Sequence, residues 1–152
     1  MEIRNSNAHG KLDEDRLAAF ERRLGSAVPD EYRRFLVIHN GGNPEPRAFV
    51  IPPDGAEGQV ENLYGLHDGP DYLQLEGMWE IYRPRLPPGL LPVGDDPNGN
   101  ALCLGLAGGY RGKVLFWDHE RALSGSDPCA DMPVIAADFD ALLAGLHPSI
   151  DG

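Results

Sequence analysis

Apolar residues recur along the chain with two periods, and the change from one to the other divides it. Near the start, Leu17, Phe20 and Leu24 fall on one helical face, with Asp13 placed to cap, Leu12 and Leu17 placed as a hydrophobic staple, and Gly25 as the stop. "VPDEYRRFLVIHNGG" (28–42) predicts a second helix. Pro29 suits its first turn, Asp30 and Glu31 suit its positive end, and Gly41 or Gly42 terminates it. Tyr32, Phe35, Leu36 and His39 share a face of that helix.

The middle of the chain alternates instead. "AFVI" (48–51) and "QVENLYGL" (59–66) read as strands separated by a Pro- and Gly-bearing turn. "DYLQLEGMWEIYR" (71–83) returns to helical spacing, with Tyr72, Leu75, Trp79 and Tyr82 on a face and Gly77 against it. "LLPVG" (90–94), "ALCLGL" (101–106) and "KVLFWDH" (113–119) predict three further strands. Leu102, Leu104 and Leu106 alternate with Ala101, Cys103 and Gly105, so both faces of that strand are apolar and it belongs at the centre of a sheet. "PVIA" (133–136) reads as an edge strand, and Asp138 caps a last helix with Phe139, Leu142, Leu143 and Leu146 inward.

Helices at both ends with strands between predict an α+β fold. One antiparallel sheet of about five to six strands is packed against N-terminal and C-terminal helices on one face. The chain reads as a single domain over 1–152, with a core at about 12–147 and loose termini at 1–11 and 148–152. Hydrophobic residues are 41% of the chain, a globular proportion, and the 19 glycines and 14 prolines are scattered as turns rather than massed as a linker. No apolar run approaches the roughly 20 residues of a membrane span, and "MEIRNSNAHGKLDEDR" has no signal-peptide pattern. Cys103 in a strand and Cys129 in the loop-like "GSDPCADMP" are too few for a disulfide framework, so a reduced, cytoplasmic protein is expected.

Charge narrows the partners. The net charge is −11. Between Ala48 and Tyr82 there is no lysine or arginine, against Asp54, Glu57, Glu61, Asp68, Asp71, Glu76 and Glu80. From Val114 onward the basic residue is Arg121 alone. Such a surface repels phosphate backbones, which excludes nucleic acid as the expected partner, and it speeds encounter with a basic protein.

Sites for chemistry fail on their demanding positions. "GDDPNGN" is oxygen-rich, and a calcium loop starting at Asp96 finds Asn98 and Asn100 in place. Its sixth and twelfth positions, however, are Ala101 and Ala107, where glycine and a bidentate glutamate are required. A turn centred on Asn98-Gly99 fits better. "GLAGGYRGKV" lacks the first glycine and the Ser/Thr of a phosphate loop. His9, His39, His67, His119 and His147 show no zinc spacing. Asp118-His119-Glu120 is the most enzyme-like cluster, but neighbours on a strand point to opposite faces. No catalytic residue, metal or cofactor is therefore assigned.

"LGSAVPDEYRRFLVIHNGG", "LLPVGDDPNGNALCLGL", "GKVLFWDHE" and "ADFDALLAGL", in that order, resemble the SUKH superfamily (the Smi/Knr family), over roughly residues 12 to 147. The resemblance implies an antiparallel sheet against helices. It gives structural roles to Tyr32, Phe35, Leu36 and Trp117 in the core and to Asn40, Gly41, Gly42 and Gly99 at turns. It also implies binding rather than catalysis: bacterial members are typically immunity proteins that neutralise a cognate toxin of polymorphic or contact-dependent systems, and fungal relatives are regulatory scaffolds. The expectation is an immunity protein whose acidic surface masks a basic nuclease or a deaminase, with Glu57, Glu61, Asp68, Asp71, Glu76, Asp95 and Asp96 as candidate contacts. A regulatory scaffold for a housekeeping protein is the alternative, and a hydrolase or metal-binding domain a further one.

Overall fold

The computed structural model describes residues 1–121 and 128–150. Its elements are β1 (Glu2–Arg4), α1 (Glu14–Leu24), α2 (Asp30–Ile38), β2 (Asn43–Glu45), β3 (Ala48–Ile51), β4 (Ala56–Gln59), β5 (Asn62–Leu63), α3 (Leu75–Tyr82), β6 (Leu90–Asp95), β7 (Ala101–Gly105), β8 (Val114–Trp117), β9 (Val134–Ala136) and α4 (Phe139–Ala144). The α+β class holds. One sheet has the order β5-β6-β7-β8-β9, antiparallel throughout, and the pairs β1-β2 and β3-β4 form separate antiparallel ribbons. No helix among the described residues is long and apolar enough to cross a membrane.

The helix ends follow from local chemistry. The Asp13 carboxylate accepts the Asp15 amide at 2.9 Å, and Gly25 ends α1 in the left-handed region. Asp138 caps α4 through the Ala141 amide at 2.7 Å. Phe139 then sits 4.9 Å, ring to ring, from both Tyr32 and Phe35, which fastens α4 to α2 across more than half the chain. Burying a ring of this size contributes about 1.5–3 kcal/mol.

β7 is the central strand, and all its residues are buried. Its two apolar faces serve two cores. Leu102 and Leu104 join Leu91, Val93, Phe116 and the faces of α1, α2 and α4. Ala101 and Cys103 join Leu86, Leu90, Leu115, Trp117 and Met132 on the other side. The helices cover one face, as expected, and the Pro-rich segment after α3 and the Met132 turn cover the second.

Three expectations are corrected. The segment 59–66 is not one strand, because β4 pairs with β3 while β5 pairs with β6. The helix expected over 71–83 breaks at Gln74, which is extended. Gly65 there accepts the Leu75 amide at 2.9 Å and donates to the Leu73 carbonyl at 3.1 Å, leaving Tyr72 62% exposed. The N-terminal segment is not loose. β1 pairs with β2, the Asn7 amide donates to the His39 carbonyl at 2.7 Å, and Asn40 Nδ2 donates to the Gly10 carbonyl at 3.0 Å. At the other end, Ala48 and His147 exchange backbone hydrogen bonds at 3.0 Å, and residues 151–152 lie outside the described residues. Of the loop expected at 125–133, residues 125–127 lie outside them too, and Pro128–Asp131 form a 3-10 turn.

Candidate functional site

The loop between β6 and β7 is organised by Asp96, which is 8% exposed. One carboxylate oxygen accepts the amides of Asn98 and Asn100 at 2.9 and 2.8 Å, and the other accepts Asn100 Nδ2 at 2.9 Å. Gly99 takes a φ of +85°, which a side chain there would resist. Asn100 Oδ1 then meets the His119 amide at 3.1 Å and the ring nitrogen Nδ1 at 2.6 Å, tying the turn to the end of β8. The Asp96 oxygens are therefore spent on the turn. The expected Asp118-His119-Glu120 cluster divides: Asp118 accepts the Glu120 amide at 3.0 Å, while the His119 ring turns to Asn100.

The β3-β4 ribbon stands across from this turn, and the space between is a groove of about 620 Å³. Glu57, Gly58 and Gln59 form one wall, Asp96, Asn98 and Asn100 the other, and Phe116 and Ile51 supply apolar lining, with Asp118 at the end of β8. Among the described residues no lysine or arginine lines it. A second hollow of about 240 Å³ shares Ile51, Phe116 and Asp118 and adds Asp54, Asp131 and Arg121. Concave walls lined by one sign of charge concentrate potential, so the groove is a negative trough.

Glu57 also holds the end of the described chain. Its carboxylate accepts the Ile150 amide at 3.0 Å and the Ser149 hydroxyl at 2.8 Å, which keep it below the usual carboxylate range. Gln59 Nε2 donates to the same hydroxyl at 3.1 Å.

The other expected contact residues are dispersed. Asp95 accepts the Asn62 amide at 3.1 Å and the Tyr64 hydroxyl at 2.9 Å, and burial pushes its carboxyl above the usual range. Glu61 lies 3.7 Å from Arg47. Asp68 and Glu76 both pair with Arg16, at 3.1 and 2.6 Å, so a cation from α1 answers part of the stretch that has none in sequence. Asp71 is exposed at the start of a 3-10 turn. Glu57 and Asp96 thus meet at one groove and the other five do not. Among the described residues no group of three or more His, Cys, Asp or Glu side chains is placed to hold a metal ion.

Tyr32, Phe35, Leu36 and Trp117 are buried. Asn40, 3% exposed, bonds the Leu66 amide and carbonyl, both at 2.9 Å, through its side chain. At Gly41 a Cβ would come 3.0 Å from the Leu63 carbonyl, and at Gly42 2.6 Å from Ile3.

The groove residues that sequence reasoning missed are Gln59 and Phe116; Asn98 and Asn100 were weighed only as calcium-loop and turn positions, and Asp118 only as part of a catalytic cluster. No period in the sequence says that a ribbon near residue 57 faces a strand end near residue 117. The missing cation between Ala48 and Tyr82 was the one signal pointing there.

The family model for the SMI1 / KNR4 family (SUKH-1) matches residues 11–145. SPbeta prophage-derived uncharacterized protein YokK of Bacillus subtilis (strain 168) is 26% identical over 149 residues, covering 87% of this chain and 73% of that protein. A crystal structure of a protein from Pseudomonas syringae pv. tomato is similar with a TM-score of 0.49 at 21% identity, covering 76% of this chain and 72% of that one.

Proposed function

The chain belongs to the SMI1/KNR4 family (SUKH-1), and from that premise we propose that it is an immunity protein. It binds a cognate toxin of a polymorphic or contact-dependent system in the cytoplasm and blocks it without chemistry of its own. The family match over residues 11–145 carries this reading, since the family is one of binding modules with immunity roles. A relative described as prophage-derived agrees with a gene carried among mobile elements. The toxin is basic, a nuclease or a deaminase that handles nucleic acid, because a trough with no lysine or arginine among the described residues that line it attracts a positive surface.

The test is co-expression with the product of the adjacent gene. Growth should be lost with that product alone and restored when this chain is present, with the two proteins co-purifying as a complex. A harmless neighbour, or a toxic one that this chain neither binds nor silences, would sink the immunity reading.

A further inference from the structure

Among the described residues, β4 has a strand on one side only. β3, its partner, is bridged on its far side by His147 at Ala48, and among the described residues no strand lies beside the other edge of β4. The Val60 amide donates to the Arg47 carbonyl at 2.8 Å, and the Ala48 amide is used by His147. In an antiparallel ladder the amides of alternate residues face opposite edges. The backbone N–H and C=O groups of Glu57 and Gln59 therefore point away from β3, along the wall of the groove. A free strand edge is a template for another strand, and this one runs beside a hollow of about 620 Å³.

We infer that an extended, arginine- or lysine-bearing segment of the partner protein adds to the β4 edge, pairing with Glu57 and Gln59 inside the groove. This rests on the reading of the chain as a protein-binding module and names where and how it binds. Main-chain bonds supply register, and side chains alternate between two surroundings. Those surroundings include the apolar Phe116 and Ile51 and the charges of Glu57, Asp96 and Asp118. The adjoining hollow sets Asp54 and Asp131 against Arg121, so it does not reverse the sign. Charge also decides against a second copy of this chain as the occupant. Edge-to-edge pairing of two copies would bring Glu57 and Asp118 of each close to those of the other, on molecules of net charge −11.

The probe is the peptide acetyl-Arg-Val-Arg-Val-Arg-Val-amide, titrated into the full chain by fluorescence anisotropy, with amide hydrogen exchange followed residue by residue. Binding should slow exchange at Glu57 and Gln59 by at least about tenfold. N-methylation of alternate peptide amides, which blocks edge pairing, should weaken binding by at least about tenfold, and so should the Glu57→Lys/Asp118→Lys double variant. Asp118→Asn, which disturbs less, should give an intermediate loss if the double variant folds poorly. Equal affinity of the N-methylated peptide, unchanged exchange at those two amides, or their protection by a dimer of this chain alone would overturn the inference. Co-expression separates this from the broader reading. A double variant that still silences the adjacent gene's toxin discards this edge and keeps the immunity role; a wild-type chain that silences nothing discards the role itself.

Discussion

The Tyr64 hydroxyl donates to Asp95 Oδ2 at 2.9 Å, joining the chain just past β5 to the end of β6. Burial pushes both groups above their usual ranges, and on the Asp95 side the hydrogen bond opposes that push. A carboxyl raised on folding contributes stability below its ordinary value and loses it as pH rises through the raised one. Tyr64→Phe should cost about 1.5–3 kcal/mol at pH 7 and drive the Asp95 carboxyl higher still. Urea unfolding at pH 7 and pH 4 should show a smaller deficit in acid. Equal deficits at both would show that the carboxylate charge is not what the hydroxyl stabilises.

Asp96 makes a second, independent claim on the same loop. Asp96→Ala leaves two amides and the Asn100 side chain without their acceptor and should cost about 2–3 kcal/mol. Asp96→Asn, which keeps one acceptor oxygen, should cost less. Because the carboxylate is occupied by the turn, 5 mM calcium should move the melting temperature by less than about 1 °C. A larger rise would restore the ion-site reading of this stretch.

Two glycines separate backbone strain from steric exclusion. Gly25 has a φ of +76° with open space around a would-be Cβ, so Gly25→Ala should cost about 1–2 kcal/mol. At Gly42, φ is +132° and the Cβ would lie 2.6 Å from Ile3 and 2.7 Å from the Arg4 carbonyl. Gly42→Ala should cost about 3 kcal/mol or more and expose the N-terminal segment to limited proteolysis. Similar melting temperatures for the two variants would show that β1 can move aside.

These positions show what a one-dimensional pattern holds. The caps at Asp13 and Asp138, the central strand β7 and the helix faces are local, and each was readable from spacing and residue type. The break at Gln74 was not, because it follows from bonds between Gly65 and residues 73 and 75. The N-terminal ribbon escaped for the same reason: its asparagines looked like a polar tail, yet they meet their partners more than thirty residues away. The acidic stretch was legible as composition. Its division into carboxylates answered by Arg16 and carboxylates lining a groove was not.

His67 sets the opposite pH slope from Asp95. It is 6% exposed, its ring lies 4.8 Å from His9, and its Nδ1 accepts the Gly69 amide at 3.0 Å. Burial lowers its pKa, with His9 and Arg16 adding to the effect and Asp68 and Glu76 opposing it. Folding therefore disfavours the imidazolium, and stability falls as pH drops below the ordinary imidazole value of about 6.5. His39, lowered by burial beside Ser6, acts in the same direction. His67→Gln should lose less stability than wild type between pH 7.5 and 5.5 by chemical denaturation, and a parallel loss in both would remove His67 from the acid response.

Cys103 gives a readout of global opening. It is fully buried in β7 within the second core, and burial pushes its thiol well above the usual range, so the reactive thiolate is suppressed twice. Cys129 is half-buried in the 3-10 turn at Pro128–Asp131. A chromogenic disulfide reagent should therefore modify Cys129 in the native protein and reach Cys103 only at the rate of unfolding. Cys129→Ser isolates the slow thiol, and its rate should rise with urea along the unfolding limb. Leu115→Ala, which hollows the same core, should destabilise by about 2–4 kcal/mol and speed Cys103 modification in step. Fast labelling of Cys103 in native buffer would mean that the second face of the sheet opens separately from the first.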